Sequence, residues 1–112
     1  MEIVVKGLNV KVTPGLREYV EKRFRVVDRQ VAKEATLTLT VREDRNPAIA
    51  EPQHAEATLA LKGTTLHASA AAAEQHTAIH KCQAEIERQV VRVKDKRRHR
   101  RDARVRDRPV AP

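Results

Sequence analysis

Between Thr36 and Val41 hydroxyl and apolar side chains alternate without a break, with Leu37, Leu39 and Val41 set against Thr36, Thr38 and Thr40. An extended chain sends successive side chains to opposite faces, so this run predicts a strand with one dry face and one wet face. Two more alternating runs follow. Ala57, Leu59 and Leu61 alternate with Glu56, Thr58, Ala60 and Lys62, and Leu66, Ala68 and Ala70 alternate with Thr65, His67 and Ser69. Lys62-Gly63-Thr64 predicts a tight turn between them. The segment from Glu43 to Gln53, with Pro47, Pro52, Asn46 and several charges, predicts a flexible connection. A sheet of such strands needs a cover on one side only.

The flanking segments supply that cover. Ile3 to Val12 is mostly β-branched at its apolar positions and predicts a first strand, interrupted near Gly7 to Asn9 by a bulge or bend. Thr13-Pro14 then predicts a helix start, because Thr accepts an orphan backbone donor and Pro has no donor to leave unpaired. Leu16, Tyr19, Val20, Phe24, Val27 and Val31 continue at helical spacing. From about Ala72 the period becomes helical again, with Ile79, Cys82, Ile86, Val90 and Val93 on one stripe. The expected fold is α/β (α+β): a two-layer sandwich in the order β-α-β-β-β-α, a four-stranded sheet with two helices on one face.

At 112 residues the chain has room for one core. Tyr19 and Phe24 are its only aromatics, so that core must be built from Val, Leu, Ile and Ala. The same scarcity argues against stacking single-stranded bases on the open sheet face. The lone Cys82 excludes an internal disulfide and fits a reducing compartment. No stretch approaches the ~20 apolar residues of a membrane span, and the first residues lack a signal-peptide pattern. A cytoplasmic protein without a membrane partner is expected.

Charge is segregated from the fold. Nine of the fifteen residues from Lys94 to Arg108 are Lys or Arg, and with three aspartates that stretch carries +6 of the chain's net +8. The first 93 residues are nearly balanced, with 14 basic and 12 acidic side chains. Such asymmetry predicts a polyanionic partner, most simply nucleic acid. The expected organisation is an α/β domain over residues 1–95 and, over 96–112, a basic helix end passing into a disordered tail. On a helical wheel Lys22, Arg25, Arg29 and Lys33 cluster away from the apolar stripe of the first helix, and Lys81, Arg88 and Arg92 do so on the second. With both helices on one sheet face, these ridges are expected to flank a shared groove that Lys94, Lys96, Arg97 and Arg98 prolong.

Sharper chemistry does not emerge from the pattern. His76 and His80 are four apart on a helix, but two ligands do not make a zinc site and Cys82 points the other way. Cys82 sits on the apolar stripe and reads as core. His67 and Ser69 lack the strained turn and orienting carboxylate of a catalytic arrangement. No enzyme activity, cofactor, metal or small-molecule substrate is expected.

The chain resembles the ribosome hibernation promoting factors, or ribosome-associated inhibitors, of bacteria and plastids. The likeness lies in the opening strand with Gly7, in Thr13-Pro14-Gly15-Leu16-Arg17-Glu18-Tyr19-Val20-Glu21-Lys22, in Glu56-Ala57-Thr58 and Leu66-His67-Ala68, and in Ala78-Ile79 with Ile86-Glu87-Arg88-Gln89. It implies a layout like that of double-stranded-RNA-binding domains. It also implies binding to the small ribosomal subunit, in the channel for transfer and messenger RNA, during stress or stationary phase. Lys22, Arg25, Arg29, Lys81, Arg88 and Arg92 would then be rRNA contacts, and exclusion of transfer RNA and message would be steric. Whole ribosomes and ribosome pairs are wider partners that the family implies. One departure is Glu74-Gln75-His76, where family members often carry an Asp-Met-Tyr-like trio. Long members add a linker and a second domain, so the chain resembles a short form or an excised N-terminal domain. Generic binding of double-stranded RNA or DNA is the alternative.

Overall fold

The computed structural model describes residues 1–106, with side chains through Arg98. Strands β1 (Glu2–Leu8), β2 (Thr36–Glu43), β3 (Gln53–Leu61) and β4 (Thr64–Ala72) form one sheet in the order β1-β2-β3-β4. β1 runs parallel to β2 because a helical crossover returns the chain to the same end, and β2, β3 and β4 are antiparallel neighbours. The registers set Val5 opposite Leu39, Leu39 opposite Ala57, and Ala57 opposite Ala68. These residues share the buried face with Leu37, Val41, Leu59 and Leu66, while the threonine face stays open.

Helices α1 (Pro14–Arg23), α2 (Arg25–Asp28) and α3 (Gln75–Arg106) complete the second layer. Leu16 and Val20 of α1, Phe24 at the junction and Val27 of α2 join Ala78, Ile79, Cys82, Ile86 and Val90 of α3 in one core cluster. Alanines on β3 and β4, among them Ala55, Ala57, Ala68 and Ala72, leave room for α3 to sit close to the sheet. Removing the large aliphatic side chains from water contributes about 1.5–3 kcal/mol each. Thr13 caps α1 as its sequence requires, its hydroxyl accepting from the Leu16 amide at 3.1 Å, with Pro14 in the first turn.

Three boundaries differ from the sequence expectation. β1 ends at Leu8 rather than Val12, because Asn9 adopts a left-handed φ of 60° and turns the chain back. The Val10 carbonyl then lies so near Gly7 that a Cβ there would be 2.1 Å from its oxygen, which explains the glycine. The first helix is broken at Phe24, which is wholly buried and leaves helical geometry at ψ 4°. Its apolar stripe continues across the break, so periodicity alone conceals it. Last, α3 begins at Gln75 rather than near Ala72, after a bend at Ala73 and Glu74, and it runs as helix to Arg106. The tail expected beyond lies at 107–112, outside the described residues.

Candidate nucleic-acid interface

The basic residues fall into separate groups once the helices are oriented. Tyr19 of α1 stacks on His76 at the start of α3, ring centroids 3.8 Å apart and nearly coplanar at 8°. The Tyr19 hydroxyl donates to the His76 carbonyl at 3.2 Å, and the Arg23 Nε donates to that hydroxyl at 3.2 Å. The Arg23 guanidinium lies 5.5 Å from the Tyr19 ring centroid. Farther along, Gln30 and Val31 face Val90, Val93 and Lys94 across a cleft. One flank of α3 therefore faces α1 and α2, and both helices run in the same general direction.

The other flank faces the free edge of β4. Lys81 Nζ donates to the Ala71 carbonyl at 3.2 Å, and Gln89 Nε2 donates to the His67 carbonyl at 2.7 Å. His67 and Ala71 share strand parity, so α3 covers carbonyls along an edge that would otherwise invite another strand. On a 100°-per-residue wheel Lys81, Arg88 and Arg92 lie within about 40° of one another, on this β4 flank and the outer surface. They do not line the α1–α3 groove. Lys94 and Arg98 lie on the opposite flank, toward α2, and Arg97 turns to the sheet, donating to the Lys62 carbonyl at 3.1 Å.

On the first helices Lys22 and Arg29 occupy the outer face, both exposed. Arg25 leans to the β1 side, beside Ile3, Glu21 and Asp28. The exposed cations are thus spread over the outer surface of the helical layer in two bands, Lys22–Arg25–Arg29 and Lys81–Arg88–Arg92. Lys94, Lys96 and Arg98 project from α3 beyond Val93, the last helix residue packed on the core, while Arg97 is turned back to the Lys62 carbonyl. Local neutralisation is slight. Lys22 pairs with Glu18 at 3.7 Å and Arg88 with Glu85, both on the surface, where such pairs contribute ~0–1 kcal/mol. Arg25, Arg29, Arg92, Lys94, Lys96 and Arg98 have no carboxylate partner among the described residues.

Arg23 is the basic residue that wheel analysis omitted, because it lies near the apolar stripe rather than opposite it. Its spacing of four from Tyr19, one of only two aromatics, was the available signal. Cys82 is fully buried, its Sγ 3.5 Å from the Ala68 carbonyl, and burial pushes the thiol up to about 11. That environment makes it an inert core group. No group of three or more metal-ligating side chains occurs among the described residues, and none of their helices is long and apolar enough to cross a membrane.

Comparison with known proteins gives a coherent result. The family model described as "Sigma 54 modulation protein / S30EA ribosomal protein" matches residues 3–98. A ribosome hibernation promotion factor of Deinococcus radiodurans is 35% identical over 92 residues, covering 80% of this chain and 47% of that protein. The chain therefore spans about half the length of this curated relative. The crystal structure of the Thermus thermophilus Protein Y N-terminal domain superposes with a TM-score of 0.71 at 26% identity, covering 83% of this chain and 99% of that one. A ribosomal subunit interface protein from Coxiella burnetii shares the fold, with a TM-score of 0.69 at 20% identity over 85% of this chain and 99% of its own.

Proposed function

Because the chain belongs to the Sigma 54 modulation protein / S30EA ribosomal protein family, we propose that it silences idle ribosomes by occupying the small subunit. It acts in the cytoplasm, within the channel that transfer and messenger RNA use, fastened through its helical surface to rRNA phosphates. The observation that carries this reading is the family match over 3–98, the same span in which the helical layer over the sheet presents exposed cations, of which Lys22 and Arg88 are paired only with surface carboxylates. Lys22, Arg25, Arg29, Arg88, Arg92, Lys94, Lys96 and Arg98 are the proposed phosphate contacts. Lys81 and Arg97 share their donors with backbone carbonyls and so contribute to both fold and contact. No bond is made or broken in this mechanism. A helical layer lodged in the channel excludes transfer RNA by volume, and the cations supply affinity by displacing condensed counterions.

Co-sedimentation with purified small subunits, combined with a transfer RNA binding assay, tests the proposal. The protein should pellet with the subunits and displace transfer RNA. The double charge reversal Arg25→Glu, Arg92→Glu should abolish both effects with little change in thermal midpoint, as exposed substitutions shift stability by less than about 0.5 kcal/mol. Equal affinity for a plain RNA duplex at the same salt would instead favour a generic duplex binder.

A further inference from the structure

At the end of the sandwich the segment after α2, the β3–β4 turn and the middle of α3 enclose a cleft of about 660 Å³. That volume lies in the range of sites that take small organic groups, roughly 300–1,000 Å³. Val31, Leu61 and Val93 give it an aliphatic floor, and Lys62, Lys94 and Arg97 stand around its mouth against the single carboxylate of Glu34. The hydrogen bond from Arg97 to the Lys62 carbonyl, 3.1 Å long, joins helix and turn and so holds the rim in place. We infer that this cleft receives one unstacked nucleotide of the bound RNA, its base on the Val31, Leu61 and Val93 floor and its phosphate at Lys62 and Lys94. The inference rests on the proposed ribosomal RNA partner and adds to it a defined point of insertion.

Several features select this occupant. Three cations against one carboxylate call for an anion, and an apolar floor calls for a dry group joined to that anion. A duplex phosphate backbone, hydrated throughout, leaves such a floor empty, whereas a nucleotide turned out of its stack offers a flat uncharged base on a charged chain. The position also fits. Lys94 belongs at once to the cleft and to the start of the basic run, and Arg98 lies one turn on along the same flank, so a phosphate chain following Arg98 and Lys94 along α3 passes the mouth. An acidic peptide with apolar side chains meets the charge requirement of the cleft, but it lacks a match to the long basic run that continues from it.

The experiment uses the whole chain. Methyl signals of Val31, Leu61 and Val93 are followed on adding AMP, a hexa-adenylate, or a peptide alternating leucine and glutamate. In parallel, Val93→Phe and Ala32→Trp, each of which fills the cleft, are titrated against small subunits, and rRNA bases are probed with a base-modifying reagent. The adenylates should shift the methyl signals. Each filling variant should lose about tenfold in subunit affinity, about 1.4 kcal/mol, change the salt slope by no more than the roughly 0.7–0.9 of a single phosphate contact, and lose protection of one base while other protections persist. Ala32 is exposed, so Ala32→Trp decides the matter if Val93→Phe melts early. Wild-type affinity and protections in the filled variants would overturn the inference, as would methyl shifts with the acidic peptide alone. If the adenylates shift the methyls but wild-type protein ignores small subunits, the ribosomal reading fails and the nucleotide site stands.

Discussion

Helix α3 is two different objects on either side of Val93. Before it, Ala78, Ile79, Cys82, Ile86 and Val90 are buried in the common core, and acidic residues such as Glu85 and Glu87 accompany the basic ones. After it, every described side chain from Lys94 to Arg98 is exposed, and the backbone nevertheless continues as helix to Arg106. The molecule is accordingly long, 72 Å against 28 and 19 Å, with a radius of gyration of 17.8 Å. A compact chain of this length would have about 13 Å. The first part of α3 owes its helix to packing. The second carries a basic surface away from the domain, where stability places few demands on residue choice and a polyanion can reach it.

Substitutions that separate the two parts should therefore fall into opposite classes. Ile86→Ala, within the core, should cost about 2–5 kcal/mol, visible as a drop in thermal midpoint of about 4–8 °C per kcal/mol for a domain of this size. Triple replacement of Lys94, Lys96 and Arg98 by Gln should leave the midpoint nearly unchanged. It should instead flatten the slope of log affinity for small subunits against log salt by roughly two to three. A large loss of midpoint in that triple variant would erase the contrast.

Smaller effects sharpen the boundary between structural and binding cations. Lys81→Met with Gln89→Leu uncovers the Ala71 and His67 carbonyls at the β4 edge. It should lower stability by about 1–2 kcal/mol and promote concentration-dependent association, which light scattering would detect. Arg88→Gln, on the same flank but paired only with Glu85 at the surface, should do neither. The slightest effect concerns Cys82. Its folded thiol titrates near 11 against an ordinary 9.0, so the stability it contributes is complete below pH 9 and is lost as pH rises toward 11. Wild type should lose more stability than Cys82→Ala across that window, and thiol labelling at neutral pH should be slow until the protein is denatured.

Much of this architecture is legible in the residues. Strict alternation at Thr36–Val41 specifies strand, buried face and register together, since a one-residue slip would send Leu37, Leu39 and Val41 into water. Thr13-Pro14 announces the helix start. The break at Phe24 was hidden because α2 resumes with the same face inward, and the end of β1 was hidden because the residues beyond it, Val10 and Val12, still pack against the core. The candidate interface was legible in part. The wheel identified exposed cations correctly, yet it placed Lys81, Arg88 and Arg92 beside a groove that they do not line. Arg23 escaped notice because it lies beside the apolar stripe of α1, and Lys62 escaped notice as a cleft rim residue because that position depends on Val31 and Arg97, far away in the chain.

The order of residues by itself determined the elements, the apolar side of each and the separation of charge from core, because periods of two and 3.6 residues are properties of the local backbone. Which flank of α3 meets α1, which carbonyls its side chains cover, and where a cleft opens were decided only by tertiary packing. Rotation of one helix about another depends on how Ile79, Ile86 and Val90 seat over the small residues of β3 and β4. That fit is a property of the assembled surfaces and of no single segment.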